Sequence, residues 1–314
     1  MDNRFMWTTL VHLGSNMWNE EGNLRYRGQN RSNRDASPVL RFERNVWDQY
    51  MLDLKANGTN TIVLDVGEAL FYESHPELAV AGSWSHDRMR VELAKLRAMG
   101  FEVIPKVNFS ASHDTWLKDY SRMLTTPIYH QVCKDVIDEI CDVFDAKFVH
   151  IGMDEETASH QRALDVAVIR QYDAWWKDLY HLVKCVESNN ARAWVWSDYG
   201  YDRIDEYMAK MPKTVVQNVW WYHESETLQV EEYNAIKAID LLDQNGYDIV
   251  PAASVWKRRD NAQILMEYAA DHISDEHFYG FMQTTWERPA HGWEHVLKVG
   301  NETMSEVKTW YENR

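Results

Sequence analysis

The sequence predicts a single-domain (β/α)8 TIM barrel that extends over residues 1–314. Three observations lead to this fold class. Strand-like apolar runs alternate with amphipathic segments, eight such pairs fit into the chain, and no Pro- or Ser-rich linker separates them. The alternative is a doubly wound open sheet, which typically has a Gly-rich phosphate-binding turn after its first strand. The stretch LGSNMW is not such a turn, so the barrel is favoured.

The predicted strands are rich in Val, Ile and aromatic residues, and several are apolar on both faces, as in a sheet covered by helices. They lie at 5–12, 60–66, 101–109, 147–152, 192–197, 214–221, 248–254 and 278–285. The predicted helices lie at 43–57, 87–99, 128–145, 165–189, 202–210, 229–245, 260–274 and 293–312. Gly58, Gly100 and Gly246 each end a helical segment, where a left-handed cap residue is needed.

A long loop at about 13–42 follows the first strand and carries an arginine cluster at or near its ends. The cluster comprises Arg25, Arg27, Arg31, Arg34, Arg41 and Arg44. The chain as a whole has 33 basic and 49 acidic residues and a net charge of −16, which argues against binding nucleic acid or an anionic membrane. We therefore interpret the loop as a solvated loop at the top of the barrel rather than a nucleic-acid-binding arm.

The sequence gives no sign of a membrane span, a metal site or a cofactor. No 18 apolar residues run together, and the first residues lack a signal-peptide pattern, so we expect a cytoplasmic protein; removal of a signal peptide would leave the same sequence. HExxH, CxxC and EF-hand motifs are absent, as is the Gly-x-Ser-x-Gly turn of serine hydrolases. Cys133, Cys141 and Cys185 are predicted to be buried thiols.

The active site of a barrel is built at the carboxyl ends of its strands. Here each predicted strand is followed by acidic, aromatic, imidazole or amide side chains. The chain has 15 Trp beside 16 Tyr, and the strand ends offer no cation suited to phosphate. Carboxylates accept hydrogen bonds from hydroxyl groups and indole faces cover the C–H faces of a sugar ring, so we expect a carbohydrate ligand.

The densest acidic cluster is Asp154, Glu155 and Glu156, after the fourth predicted strand. Glycoside hydrolysis requires a proton donor, and neighbouring acids in a dry pocket raise one pKa. Such a run of acids also occurs at helix N-termini, which is the alternative interpretation. Nearby His150 is either a hydrogen-bonded core histidine or a residue that orients the pocket.

Five segments resemble glycoside hydrolase family 20, the β-N-acetylhexosaminidases. FVHIGMDEE resembles the strand-4 motif of that family, and LRAMGFEVIPKVNFSASH resembles its strand-3 stretch, which ends in a histidine. AWVWSD, VVQNVWW and GFMQTTWE resemble its strands 5, 6 and 8, each with a sugar-binding tryptophan. Order and spacing agree over roughly residues 50–290.

The resemblance implies a substrate-assisted, retaining mechanism. Asp154 would hold the 2-acetamido group of a terminal N-acetylhexosamine, whose own oxygen is the nucleophile, and Glu155 would be the general acid/base. The residues expected to bind the substrate are His113, Trp196, Asp198, Trp220, Tyr222, Trp256, Trp286 and Glu287.

The sequence also departs from the family pattern. The arginine that ends strand 1 in the family is absent from TTLVHLGSN, and Met153 replaces the second glycine of the strand-4 motif. The strand-7 tyrosine has no clear counterpart, Trp256 and Tyr222 being nearest, and Glu287 comes one residue early. These positions concern sugar recognition more than proton transfer. A changed substrate specificity is therefore expected more than a loss of activity.

Two alternatives remain open from the sequence. One is a barrel glycosidase of other specificity that uses two protein carboxylates, such as Glu155 with Asp198 or Glu287. The other is a non-catalytic carbohydrate-binding barrel that has kept its aromatic walls.

Overall fold

The computed structural model describes residues 5–20, 35–162, 164–222 and 234–314. The strands are β1 (Met6–His12), β2 (Thr61–Asp65), β3 (Glu102–Lys106), β4 (Phe148–His150), β5 (Arg192–Trp196), β6 (Val216–Asn218), β7 (Ala252–Ser254) and β8 (Gly280–Thr284). The α-helices are α1 (Arg44–Ala56), α2 (His86–Ala98), α3 (Pro127–Phe144), α4 (Asp173–Ser188), α5 (Ile204–Lys210), α6 (Asn234–Gln244), α7 (Asn261–His272) and α8 (Glu294–Glu312). Short 3₁₀ segments lie at Gly67–Ala69, Pro76–Leu78, Thr115–Arg122 and Asp198–Gly200.

The eight strands form one parallel sheet in the order β6-β5-β4-β3-β2-β1-β8-β7. Its two edges also meet. The backbone N–H of Gln217 donates to the carbonyl of Asp248 at 2.9 Å, and that of Ala252 donates to the carbonyl of Val219 at 2.8 Å. The sheet therefore closes on itself, and the predicted (β/α)8 barrel is confirmed.

The core has two apolar layers because successive strand residues point to opposite faces. In β2, Val63 packs inside the barrel, whereas Ile62 and Leu64 pack in the layer between strands and helices. The helix-borne Trp47 and Trp175 are buried in that outer layer. The inner layer consists of Leu10, Val63, Ile104, Phe148, Trp194, Trp196, Val216, Val250, Ala252 and Met282.

Local chemistry sets the ends of several helices. The hydroxyl of Thr126 accepts the backbone N–H of Tyr129, and Pro127 opens α3 with a preset φ. The predicted left-handed caps are confirmed, with φ of 87° at Gly58, 93° at Gly100 and 73° at Gly246. No helix within the described ranges is long and apolar enough to cross a membrane.

The predicted helix at 165–189 is wrong over residues 165–172, because α4 begins only at Asp173. Arg170 in this stretch turns into the interior and pairs with Glu156 and Asp178, and the residue before α4, Tyr172, has a φ of 54°. Long-range ion pairing therefore overrides the helical pattern. Residues 21–34 of the predicted 13–42 loop and residues 229–233 of the predicted sixth helix lie outside the described ranges.

The three cysteines are free and buried, as predicted. They lie on α3 and α4, which pack against each other on the outside of the barrel. Burial raises the pKa of Cys141 to about 12 and that of Cys185 to about 11. The thiols are thus packing groups.

Candidate active site

A cavity of about 1060 Å³ lies at the carboxyl ends of the strands. The predicted site residues that line it are His113, Asp154, Glu155, Trp196, Asp198, Trp220, Tyr222, Trp256 and Trp286. Glu287 is not among the lining residues, and its charge instead lies near the Arg288 guanidinium. The structure therefore brings together all of the predicted site residues except Glu287, whose part in substrate binding stays a prediction.

A sharp turn after β4 places two acids in this cavity. Gly152, Met153 and Glu155 all have left-handed backbones, with φ of 74°, 76° and 51°. A Cβ atom at Gly152 would lie 2.1 Å from Oδ1 of Asn108, so only glycine fits there. Met153 adopts the left-handed conformation that a second glycine would take more easily, which is a source of strain. The turn lets the neighbouring Asp154 and Glu155 face the same space.

Asp154 is a buried, fully partnered carboxylate. Its Oδ1 accepts the Nδ2–H of Asn108 at 2.8 Å, and its Oδ2 lies 3.2 Å from Nδ1 of His113. Burial opposes ionisation, but the charges of His113 and Lys106 and these hydrogen bonds hold the pKa of Asp154 well below its usual range. Asp154 is therefore a permanent anion in the cavity wall.

His113 bridges the two acids. Its Nδ1 faces Asp154, and its Nε2 lies 3.2 Å from Oε2 of Glu155. Burial disfavours the charged ring, yet the two carboxylates together raise the pKa of His113 to about 10. The imidazolium form, which has a donor on each nitrogen, matches the two acceptors.

Glu155 is fixed at its backbone and accessible at its carboxyl group. Its N–H donates to Oδ2 of Asp198 at 2.8 Å, and its carbonyl accepts the hydroxyl of Ser112 at 2.6 Å. The side chain remains 28% exposed, and Oε1 lies 3.4 Å from Nε2 of His160. A ligand in the cavity can thus reach this carboxyl group without rearrangement of the turn.

Asp198, in the loop after β5, holds two other site residues through hydrogen bonds. One oxygen accepts the Glu155 backbone N–H, and the other accepts the indole N–H of Trp220 at 3.2 Å. Burial, followed by the charge of Asp154, raises the pKa of Asp198 to about 8. Both oxygens are already engaged, so Asp198 positions its neighbours.

Aromatic rings form another part of the cavity wall. The rings of Trp196 and Trp286 are 5.9 Å apart, Tyr222 meets Trp286 edge-on at 6.2 Å, and Trp220 stacks on Tyr222 at 5.1 Å. Burial, together with the nearby charge of Asp154, raises the pKa of Tyr222, which keeps its phenol protonated. The cavity therefore offers indole faces for a sugar ring, with the Tyr222 phenol as a donor beside them.

The end of β1 is aromatic where the family resemblance leads one to expect an arginine. Trp18 lines the cavity, and its ring lies 5.6 Å from that of His12, which is 5.7 Å from Trp286. Beneath His12, Asp65 pairs with the fully buried Lys106 at 2.5 Å. Where the family arginine would bind sugar hydroxyl groups, this chain thus has the indole of Trp18 near a buried ion pair.

A buried arginine ties the strand-3 and strand-4 loops together. Arg170 donates to the carboxylate of Glu156, to the carbonyl of Phe109 at 2.8 Å and to Asp178 of α4 at 3.1 Å. Glu156 also accepts the backbone N–H of Ala111 at 3.0 Å. The third acid of the cluster therefore supports the turn that carries Asp154 and Glu155.

His150 is a hydrogen-bonded core histidine. Its Nδ1 accepts the Gly152 backbone N–H at 3.1 Å, which leaves Nε2–H to donate to Oδ1 of Asn218 at 3.3 Å. Burial, with the charge of Lys106, lowers the pKa of His150 to about 3, so the ring is neutral. In the part of the chain that the structure describes, no three His, Cys, Asp or Glu side chains are grouped to hold a metal ion.

Several cavity residues have no signal in the sequence. Trp18 and His160 lie in loops without motif or periodicity, and Tyr172 and Arg203 fall in or beside predicted helices. Asn108, which holds Asp154 from behind the cavity wall, could be found, since it lies at the carboxyl end of the third predicted strand.

No family model and no curated protein matches the chain. Solved structures do match. A β-N-acetylhexosaminidase from Bacteroides fragilis NCTC 9343 has a TM-score of 0.62 and 11% identity, covering 99% of this chain and 71% of its own. The chain has the fold of the family 20 catalytic barrel.

Two further structures bear this out. The family 20 exo-β-N-acetylglucosaminidase from Vibrio harveyi, solved with N-acetylglucosamine, has a TM-score of 0.63 and 14% identity over 98% of this chain. Dispersin B has a TM-score of 0.57 and 11% identity, covering 96% of this chain and 97% of its own. The chain spans 57% of the Vibrio enzyme and 50% of a chitobiase from Flavobacterium johnsoniae. The expected family 20 barrel is thus confirmed as a fold.

Proposed function

We propose that the protein is a retaining glycoside hydrolase that removes a terminal N-acetylhexosamine by substrate-assisted catalysis. The observation that carries the proposal is the pair of neighbouring acids in different surroundings. Asp154 is held as an anion by His113 and Asn108, whereas Glu155 presents a partly exposed carboxyl group to the same aromatic-walled cavity. Proteins of the same fold carry the name β-N-acetylhexosaminidase, which agrees with this assignment.

In the first step the oxygen of the substrate's own acetamido group attacks C1. The C1–O bond to the leaving group breaks, and Glu155 gives its proton to the departing oxygen. The sugar is left as a cyclic oxazolinium ion. Asp154 accepts the acetamido N–H and its negative charge stabilises the positive charge that develops, which needs a carboxylate that stays ionised. The protonated phenol of Tyr222 is a donor for the acetamido oxygen.

In the second step water adds to C1 and opens the oxazolinium ring. Glu155, now a carboxylate, takes the proton from that water and returns to its starting state. Two displacements at C1 retain the configuration of the sugar. The imidazolium of His113 lies against both acids, so it stabilises Glu155 in the half of the cycle in which that group is an anion.

Two observations favour this route over a mechanism with two protein carboxylates. Both oxygens of Asp198 accept hydrogen bonds from Glu155 and Trp220, and Glu287 does not line the cavity. A protein nucleophile requires a carboxylate directed at C1. The substrate's amide fills that role in the assisted route.

Substitution of the acid/base tests the proposal. Glu155→Gln is expected to lower kcat for an aryl N-acetyl-β-glucosaminide by about 10²–10⁴-fold, because Gln cannot transfer a proton. Glu276→Gln, at an exposed acid between α7 and β8, is the matched control and is expected to keep the wild-type rate. Circular dichroism of both variants checks the fold. Wild-type turnover by a folded Glu155→Gln variant would contradict the assignment.

A further inference from the structure

The cavity extends past Glu155 on the side away from Asp154. Oε2 of Glu155 faces His113, whereas Oε1 faces His160 in the loop after β4. That loop and the loop after β5 continue the lining, and the whole volume of about 1060 Å³ exceeds what one sugar ring needs, since about 300–1,000 Å³ holds a drug-sized ligand. A general acid protonates the bond to the leaving group. The leaving group of the substrate is therefore expected to bind in the part of the cavity near His160.

The wall on this side is a preorganised stack, which we call the Arg203 wall and define as Gln171, Tyr172, Tyr199 and Arg203. The Arg203 guanidinium lies 5.4 Å from the Tyr172 ring and 4.8 Å from the Tyr199 ring. Tyr199 in turn stacks on the buried Trp175 at 3.9 Å with an interplanar angle of 4°. Gln171 fixes Arg203 by accepting its Nη2–H at 3.0 Å. The wall keeps its shape without a ligand.

One member of the wall faces solvent at the cavity mouth. Tyr172 is 64% exposed, although an apolar ring usually packs when it can. It holds a strained backbone with a φ of 54°, and its N–H donates to the hydroxyl of Tyr199 at 2.7 Å. An exposed, fixed aromatic ring on a cavity lip suits stacking against a second sugar.

The same part of the cavity holds two arginines, in a chain whose net charge is −16. Arg162 and Arg203 both line it, and neither forms an ion pair with a described residue. Besides Glu155, the acid Asp202 lines that side, and its Oδ1 accepts the Nδ2–H of Asn234 at 2.9 Å. An arginine offers five N–H donors in a planar fork, and Arg203 uses one of its side-chain donors on Gln171. The remaining donors suit a planar or tetrahedral anion.

We propose that the Arg203 wall, together with Arg162, is a leaving-group subsite that selects an anionic sugar. The residue released would carry a carboxylate or a sulfate that binds the two guanidinium groups, while its ring stacks on Tyr172. This inference rests on the proposed function, because the direction of the leaving group follows from the role of Glu155.

Matched disaccharides test the subsite. The same N-acetylhexosamine is linked to glucose, to glucuronic acid or to a 6-sulfated glucose, and kcat/KM is measured for each. We expect wild type to prefer at least one anionic substrate over the neutral one by about tenfold or more at low salt. The preference should fall as ionic strength rises. Comparison of the glucuronic acid substrate with the 6-sulfated glucose substrate shows whether a carboxylate or a sulfate is preferred.

Variants assign the preference to the two arginines. Arg162→Gln and Arg203→Gln should each lower the anionic-to-neutral ratio of kcat/KM, and the double variant should bring it close to one. Arg162 is exposed, so its variant is expected to fold. Arg90→Gln, an exposed arginine of α2 that pairs with Asp142, is the matched control and should leave the ratio unchanged.

A binding measurement separates failure of this proposal from failure of the proposed function. Calorimetry with the Glu155→Gln variant reads the affinity for the anionic and neutral disaccharides without turnover. Tighter binding of an anionic disaccharide, lost in Arg162→Gln, supports the subsite even if wild type hydrolyses nothing. A wild-type enzyme that cleaves and binds all three disaccharides equally, or a preference that survives in the double variant, would overturn it.

Discussion

Asp198 accepts the backbone N–H of Glu155 at 2.8 Å, so a carboxyl group from the loop after β5 fixes the backbone of the proposed general acid. Its other oxygen holds the indole N–H of Trp220, which lines the same cavity. One side chain thereby sets the position of the proton donor relative to an aromatic wall. Rigid placement matters here, since a displacement of about 1 Å can cost about 10²-fold in rate.

The Asp198 contacts predict a difference between two substitutions. Burial and the Asp154 charge raise the pKa of Asp198 to about 8. Asn keeps one acceptor oxygen for the Glu155 N–H but turns an amino group, which cannot accept, toward the Trp220 indole N–H, whereas Ala keeps no acceptor. Asp198→Asn should therefore keep part of the activity at pH 6, whereas Asp198→Ala should lower kcat by about 10²-fold with a smaller change in KM. Steady-state kinetics on an aryl N-acetylhexosaminide measures both. Equal losses of activity in the two variants would contradict the role of the Asp198 oxygens as hydrogen-bond acceptors.

The His113 bridge predicts a pH-dependent stability. Although burial disfavours its charge, Asp154 and Glu155 raise the pKa of His113 to about 10, above an unfolded value of about 6.5. Its protonation therefore stabilises the folded state fully below about pH 6.5, and this stabilisation is lost as the pH rises through about 10. His113→Gln should reduce the free energy of unfolding more at pH 6 than at pH 10, as measured with urea.

His295→Gln, at an exposed position of α8, is the control and should give the same small change at both pH values. If the deficit of His113→Gln were as large at pH 10 as at pH 6, packing rather than charge would explain it. The ionic bridge between the two acids would then be wrong.

The strand-4 turn predicts that Gly152 cannot be replaced. A Cβ there would meet Oδ1 of Asn108 at 2.1 Å, in addition to the cost of a positive φ. Gly292 also has a positive φ, 93°, but a Cβ there meets nothing within 4 Å. Gly292→Ala should cost about 1 kcal/mol of stability, and Gly152→Ala clearly more, with loss of activity. Thermal and urea unfolding compare them; equal costs would refute the steric argument.

The buried network of Arg170 predicts a large loss of stability. Arg170→Met would leave the carboxylates of Glu156 and Asp178 buried without their shared cation, which typically costs about 3–5 kcal/mol. Arg259→Met breaks exposed pairs on α8 and should cost less than about 1 kcal/mol. Chemical denaturation measures the two free energies. A small effect at Arg170 would show that its loop does not depend on the network.

The parts of the molecule that the sequence predicts are those controlled by local patterns. Apolar strands alternating with amphipathic helices indicated the barrel, and the neighbouring acids after the fourth strand indicated Asp154 and Glu155. His113 was found in the same way, as a histidine shortly after a strand. The carboxyl ends of parallel strands meet at one end of a barrel, so sequence position alone brings these groups together.

The remaining features depend on contacts between distant residues. The spacing of residues 165–172 favours a helix. Arg170 pairs with Glu156 instead, and the helix begins only at Asp173. Trp18 enters the cavity from a loop that lacks periodicity, and the Arg203 wall joins residues from two loops. Long-range ion pairs and ring stacking produce no periodic pattern in the sequence. The sequence therefore does not predict them.

A pair of aryl glycosides that differ only at C2 tests the central claim most directly. One carries the 2-acetamido group and the other a 2-hydroxyl group, and kcat/KM is measured for wild type and for Asp154→Ala. The account predicts turnover of the acetamido substrate alone, with a large loss in Asp154→Ala, because the substrate's amide is the nucleophile and Asp154 holds it. Equal turnover of the two glycosides by the wild-type enzyme would contradict substrate-assisted catalysis.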